Sequence, residues 1–368
     1  MGDPIHEDDV IDQIFRIYQV GGIQRIGQNT TVYRLRFCSP EFLHAKRVRI
    51  SQAFRGSMTD ISGQLARDHL GIAIDPNLAS SYPKHTPHFD VMEKSQGDDY
   101  QVVIPNWTVN YAINWLCGQA QGVSSKSGLQ DSFFFFQSAN GGYRIQSLKG
   151  MMNIEYMEGG IFGYTPAESG DTKEIPWDAT DGATGVGRRI LGYNIGSSAN
   201  ILEGVIEGLF GSKQITVDNT YKYQTEKTYN YLEKFYSGQD MAMNDFPLVR
   251  QTDETIHIGD SALSGEDVAV SPHINYKNIG QYPDAHTILT SDSHFVHDID
   301  NNIHQATHNA HLGSAQFRTA AKQLLKYYTM NLLLPTRTDI SVGKIINLKI
   351  PQAIPGGENV DPKFHSGR

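Results

Sequence analysis

At 368 residues the chain is long enough for two or three domains, each with its own core. A formal net charge of −9 and an isoelectric point of about 5.8 argue against a protein that grips nucleic acid, which needs a clustered Lys and Arg surface. The 35 Gly and 18 Tyr lean toward strands and turns, and the two cysteines, Cys38 and Cys117, match no zinc or redox spacing and imply no disulfide framework.

The opening MGDPIHEDDV is acidic and has no apolar core, so it reads as no secretory signal, and its EDD as a solvated run. No apolar run approaches the length that crosses a bilayer, so no membrane insertion is expected. In residues 14–20 and 31–37 apolar and polar residues alternate around a loop holding Gly21, Gly22, Gly27 and Asn29. Period two with this punctuation predicts two antiparallel strands with one face buried. Ser39, Pro40 and Glu41 then predict a helix start, with proline at the first helical position. A second helix is expected over 58–70, with Ile61, Leu65 and His69 on one face.

Residues 71–100 carry three prolines and little periodicity and read as a connector, ordered only against a neighbour. In IPNWTVNYAINWLCGQAQG, Val109, Ile113, Leu116 and Ala120 fall at helical spacing between Asn106 as the cap and Gly122 as the end. Four phenylalanines, Phe133 to Phe136, precede a turn at Asn140-Gly141-Gly142 and a returning segment with Tyr143, Ile145 and Leu148. Successive strand side chains point to opposite faces, so both faces of this strand must be covered, one by the preceding helix and the other by a second sheet or another subunit. Each fully buried Phe contributes roughly 1.5–3 kcal/mol.

Residues 151–189 lack periodicity. RILGYNI reads as a strand, and NILEGVIEGLFG as a short helix capped by Asn200 and Glu203, with an apolar face of Ile201, Leu202, Val205, Ile206 and Leu209 and a stop at Gly211. SKQITVDNTYKYQTEKTYNYLEKF reads as one long strand with Ile215, Val217, Tyr221 and Tyr223 on one side. After an irregular stretch at 236–300, AQFRTAAKQLLKYY predicts a helix with Phe317, Ala321, Leu324 and Tyr328 on one face, followed by strands in TMNLLLP and KIINLKIP.

Chemistry-bearing spacing is sparse. His304, His308 and His311 would share one face of a helix at i, i+4 and i+7, which suits a transition metal, and His294 and His297 lie nearby. No Glu stands beside His304 to act as a general base, so a polar helix face or a structural ion at a subunit contact is the preferred reading. Gly182 to Arg189, GATGVGRR, lacks the Lys-Ser/Thr ending of a phosphate loop and reads as a flexible loop. No Gly-x-Ser-x-Gly elbow is present, the carboxylates form no acid and base pair by spacing, and Trp107 and Trp115 suit a core or an interface.

Four stretches, VYRLRFCSPEFLHAKRVRISQAFRG (32–56), IPNWTVNYAINWLCGQAQ with SFFFFQSANGGYRIQSL (104–148), GLFGSKQITVDNTYKYQTEKTYNY (208–231) and LLKYYTMNLLLPTRTDISVGKIINLKIP (324–351), occur in that order. Together they resemble the baseplate hub proteins of contractile-tailed bacteriophages, which join the tail tube to the central spike. The resemblance implies an α+β, mainly β chain with two small tail-tube-like β-barrel domains, an inserted helix and hairpin module, and irregular loops. The boundaries it suggests are a first barrel over 1–72, a connector and α/β module over 73–150, an irregular loop over 151–189, a second barrel over 190–350 with an insertion at 236–300, and a tail over 351–368. It further implies a non-enzymatic homotrimer in the virion, assembled in the host cytoplasm, whose pseudo-sixfold ring contacts a tube or tube-initiator protein, the central spike and baseplate wedge proteins. The acidic chain would let DNA pass without sticking, with no cofactor and no specific nucleic-acid binding.

Hub proteins usually carry further strands before the segment matching DQIFRIYQV, so another chain is expected to complete the first barrel across the bare edge at 14–20. The alternative function is a metal-dependent hydrolase, a wall-degrading tail component, using His304, His308 and His311.

Overall fold

A computed structural model describes residues 13–26, 30–74, 85–96, 100–122, 132–138, 142–152, 161–164, 189–197, 200–218, 223–230, 283–291, 296–298, 315–326, 329–334 and 340–349. The described residues form a mixed α/β structure with more strand than helix. Its sheets have two or three strands each, and none of them closes into a barrel among the described residues.

The chain begins with a hairpin, β1 (Arg16–Ile26) and β2 (Thr30–Cys38). It continues through helix α1 (Pro40–Arg47), β3 (Arg49–Gly56), helix α2 (Met58–Leu70), β4 (Phe89–Met92), β5 (Tyr100–Thr108) and helix α3 (Val109–Gln119). The phenylalanine strand β6 (Phe133–Gln137), β7 (Tyr143–Ser147) and the short helix α4 (Leu148–Met152) complete this module.

Strands β3 and β5 pair antiparallel. Their alternation puts Ile50, Phe54, Val102 and Ile104 on a buried face. Helices α2 and α3 complete the core with Met58, Ile61 and Leu65 from one and Val109, Ile113 and Leu116 from the other. Helix α2 starts where the Ser57 hydroxyl accepts the Asp60 amide at 3.1 Å and stops at Gly71, whose φ of 72° is left-handed and suits glycine.

Residues 71–100, expected to be a connector, contribute directly to this core. Ile72 and Phe89 are fully buried, and β4 pairs parallel with β7. The Phe89 ring lies 6.3 Å from Phe135 and 6.4 Å from Tyr143. β4 has four residues, of which Phe89 alone is buried, and is too short to show a period. The helix expected to be capped by Asn106 starts two residues later than that cap implies, at Val109, because Asn106 remains in β5 with φ 52°. Thr108 takes the cap position without a side-chain hydrogen bond.

The phenylalanine strand pairs antiparallel with β7, as expected of a hairpin, and Asn140 and Gly141 of the expected turn lie outside the described residues. Both of its faces are covered. Phe133 and Phe135 belong to the main core beside α3, while Phe134 packs with Leu148, Met151 and Ala321. Ala321 lies on helix α6 (315–326), so a helix from late in the chain covers the second face, where a sheet or another subunit was expected.

The later strands are β8 (Ile161–Tyr164), β9 (Arg189–Ile190), β10 (Gly192–Ser197), β11 (Gly211–Asp218), β12 (Tyr223–Asn230), β13 (Thr287–Ser291), β14 (Val296–Asp298), β15 (Thr329–Leu333) and β16 (Asn347–Lys349). Helix α5 (Ile201–Ile206) precedes β11 and is capped by the Asn200 side chain, which accepts the Glu203 amide at 3.3 Å. It ends before Gly208, five residues after Glu203, so Gly211 is the first residue of β11 and not the stop.

The expected long strand is two strands. β11 and β12 pair antiparallel from Gly211↔Asn230 to Asp218↔Tyr223. Their buried face is also the opposite of the expected one: Ser212, Gln214 and Thr216 are buried. The Gln316 side-chain amide of α6 reaches that face, donating to the Ser212 carbonyl at 2.9 Å and the Lys227 carbonyl at 3.1 Å. The Gln214 side-chain amide also donates to the Thr216 hydroxyl at 3.4 Å, and a polar inner face of this kind is invisible to hydrophobic periodicity.

Candidate assembly surface

The ribbon of β1 and β2 pairs from Arg16↔Cys38 to Ile26↔Thr30, with irregularities between Ile17 and Gln19 and between Gly21 and Gln24. The second irregularity places Gly22 at φ 61°, a left-handed conformation that glycine adopts without strain. Directly opposed residues of an antiparallel pair share a face. The pairs Ile17↔Phe37 and Val20↔Leu35 therefore make one face apolar, and Gln19↔Arg36 and Gly21↔Arg34, with Arg16 opposite Cys38, make the other cationic. Phe15 extends the apolar face, its ring 4.8 Å from Phe37. On the cationic face the Arg36 guanidinium donates to the Gln19 side-chain carbonyl at 3.3 Å.

Neither face is buried, which corrects the expectation of one buried face. Ile17 and Tyr18 are each 59% exposed, and Val20 and Phe37 55%. The alternation is real, but no helix or sheet of the described residues packs substantially on the ribbon, whose main contacts are between its own two strands. The ribbon's ten exposed large hydrophobic residues, spread over both faces, present roughly 1,000 Å², taking about 200 Å² for a large side chain. An isolated two-stranded hairpin is marginal in water, so this surface favours association.

The base of the ribbon is fixed to the core. β2 runs into α1, whose Ser39 cap accepts the Phe42 amide at 3.4 Å. The Tyr143 hydroxyl from β7 donates to Glu41 at 3.1 Å, with Ser39 at 3.4 Å. Burial pushes the Tyr143 hydroxyl well above its ordinary pKa, and the neighbouring Glu41 carboxylate acts in the same direction, so it stays a neutral donor. Phe42 and Leu43 on α1 continue the exposed apolar surface beyond the ribbon, with the Lys46 ammonium 5.1 Å from the Phe42 ring centre. A second exposed apolar area lies later in the chain, with Leu289 on β13 and Leu202 and Ile206 on α5.

Of the residues singled out for chemistry, His304, His308 and His311 lie outside the described residues, as do His294 and Gly182 to Arg188. Among the described residues no group of three or more His, Cys, Asp or Glu is placed to hold a metal ion. No helix of the described residues is long and apolar enough to cross a membrane. Trp107 and Trp115 pack on each other at 5.3 Å, and both flank the main core.

One polar cluster escaped sequence reading because its members are far apart in the chain. Asp90 accepts from Ser138 at 3.2 Å, meets Arg144 at 3.5 Å and lies 3.3 Å from the His88 ring. The carboxylate stands between serine and imidazole, which is not the order of a Ser-His-Asp relay. The cluster ties the start of β4 to the β6–β7 hairpin.

No protein-family model matches the chain, and no curated protein sequence is similar to it.

Proposed function

We propose that the chain is a structural subunit of a phage tail baseplate hub, a homotrimer that joins the sixfold tail tube to the threefold central spike around the DNA channel. The observation that carries this reading is the β1–β2 ribbon, anchored at its base and bare on both faces. A folded subunit that displays exposed apolar side chains on a ribbon not covered by other described elements is suited to assembly. In the hub reading the two tube-like barrels are completed across subunit boundaries, and the ribbon's apolar face is the seam with the neighbour. Three copies in head-to-tail contact close a ring.

The net charge supports the reading: the ribbon residues 13–38 hold four arginines and no carboxylate, and without them 27 Lys and Arg face 40 Asp and Glu, a net charge of −13 over the rest. An acidic channel wall would repel phosphate. Tube, spike and wedge proteins are the partners this reading assigns, and no catalytic step is required of the chain.

Light scattering on the purified chain, followed by negative-stain imaging of the same sample, tests the reading. A threefold ring with a central hole is expected. A compact monomer at all concentrations, even after tube and spike proteins are added, would count against it.

A further inference from the structure

A seam has two sides, and the ribbon supplies one of them. Its apolar face, with Ile17↔Phe37 and Val20↔Leu35, ends in a cation. Arg25 lies opposite Thr31, four residues along β2 from Leu35, and therefore on the same face. Arg25 is exposed. Residues 13–38 hold no Asp or Glu, so the ribbon brings only positive charge to a partner.

The complementary surface lies on α5 and β13. Leu202 and Ile206 are four residues apart, hence on one side of α5, and are 72% and 64% exposed, while Leu289 on β13 is 74% exposed. His286, just before β13, ties the helix end to the strand, its Nδ1 lying 3.0 Å from the Ile206 carbonyl oxygen. Next to the apolar pair stand Glu203 and Glu207, also four residues apart and both exposed. Their setting does not serve the helix. Like charges at this spacing repel, and Glu207 is the C-cap residue, at the end where the backbone disfavours a carboxylate. Lys213, on the adjacent strand β11, is engaged elsewhere, by Glu226 at 2.7 Å and Asp284 at 3.6 Å.

We propose that the apolar face of the ribbon docks on the Leu202, Ile206 and Leu289 surface of a second copy, with Arg25 of one copy against Glu203 and Glu207 of the other. Both surfaces are exposed in one copy, so their contact joins two molecules. The two surfaces differ, so the contact is head-to-tail. It leaves a ribbon at one end and a receiving surface at the other, and further copies add until a ring closes. Apolar burial supplies the affinity, and the charge pairing fixes the register and disfavours ribbon against ribbon, which would bring like charges together. This inference rests on the hub reading only for the number of copies in the ring.

The test mixes two variants of the full chain, each disabled on one side of the seam. Ile17→Ser with Leu35→Ser disables the ribbon, and Leu202→Ser with Leu289→Ser disables the receiving surface. All four side chains are exposed, and urea unfolding checks that both variants fold. Each variant alone is expected to scatter light as a monomer at concentrations where the wild-type chain associates. The equimolar mixture is expected to form a dimer holding one copy of each, because one intact seam remains. Adding Arg25→Glu to the variant with the intact ribbon should weaken that dimer about tenfold, and Glu203→Arg in its partner should recover most of the loss. A mixture that forms no dimer overturns the proposal. So does a receiving-surface variant that associates as the wild-type chain does, which would point to ribbon-on-ribbon contact. Charge reversals without effect overturn the pairing of Arg25 with α5. Failure of the hub reading is seen separately, as a mixed dimer that forms while the wild-type chain gives no threefold ring by imaging.

Discussion

The β1–β2 ribbon and the β3–β5 pair are built from the same kind of sequence and end in opposite situations. Both alternate apolar with polar residues and both pair antiparallel. In β3 and β5 the apolar set, Ile50, Phe54, Val102 and Ile104, lies under α2 and α3 and is buried. In the ribbon the apolar set, Ile17, Val20, Leu35 and Phe37, meets solvent. The cause is the next element along the chain. β3 and β5 lead into α2 and α3, which pack on them, whereas the helix after β2, α1, packs against α2 and α3 and not substantially on the ribbon. Alternation states that a face is made to be covered; the neighbouring helices decide whether this chain covers it or leaves it to another molecule.

The largest effect that separates the two regions is on folding itself. Replacing Phe89 by Ala removes a fully buried ring packed between Phe135 and Tyr143. A loss of roughly 3–5 kcal/mol is expected in urea unfolding of the monomer. The matching change in the ribbon, Phe37→Ala, is expected to stay within about 0.5 kcal/mol, since Phe37 is already exposed. Equal costs for the two would mean that the ribbon is packed in the isolated chain, and the comparison would fail.

A smaller effect reads the same contrast through the cysteines. Cys117 on α3 is buried and Cys38 at the end of β2 is half-buried, both as free thiols. Burial pushes the Cys117 thiol from 9.0 up to about 12. A thiol that holds its proton more tightly when folded costs nothing below its ordinary pKa. Above it, the unfolded chain releases the proton first, so stability falls as pH rises. The slope is roughly 1.4 kcal/mol per pH unit between 9 and about 12. Unfolding midpoints at pH 8 and pH 10 measure it, and Cys117→Ala should remove this contribution. In the same samples a thiol reagent should modify Cys38 in the native chain and Cys117 only on unfolding; native modification of both would show that α3 opens readily.

Legibility in the sequence divides along the same line. The α1 cap at Ser39-Pro40, the α2 and α3 apolar faces and the β6–β7 hairpin could be read because each is a local pattern whose partner lies close in the chain. Three kinds of feature were not legible. β4 is four residues long and bounded by irregular chain, so it carries no period. The β11 face turned inward is Ser212, Gln214 and Thr216, reached by Gln316 about a hundred residues away through the Ser212 backbone carbonyl, and hydrophobic reading selects the other face. The cover on Phe134 comes from Ala321 on α6, a contact that only the fold creates. The ribbon itself was visible as two alternating strands and a bare edge at 14–20. Its exposure on both faces was not, because the pattern of a strand covered by its own chain and one left for a partner is the same.

The smallest expected change in monomer stability accompanies the largest expected change in assembly. Ile17→Ser with Leu35→Ser places two hydroxyls on the apolar face of the ribbon and alters no residue of the main core. Urea unfolding of the monomer should move by less than about 0.5 kcal/mol, because neither side chain loses a packed environment. In the hub reading those side chains are desolvated against a neighbour, where each lost contact near the centre of an interface costs about 2 kcal/mol or more. Two of them per seam, repeated around a ring, shift assembly by several orders of magnitude in concentration. Light scattering of the double variant beside the wild-type chain reads the result directly. Loss of the ring with unchanged unfolding assigns the apolar face to the neighbour, whereas an intact ring moves the seam elsewhere, with Leu289 and Leu202 the next exposed apolar positions to substitute.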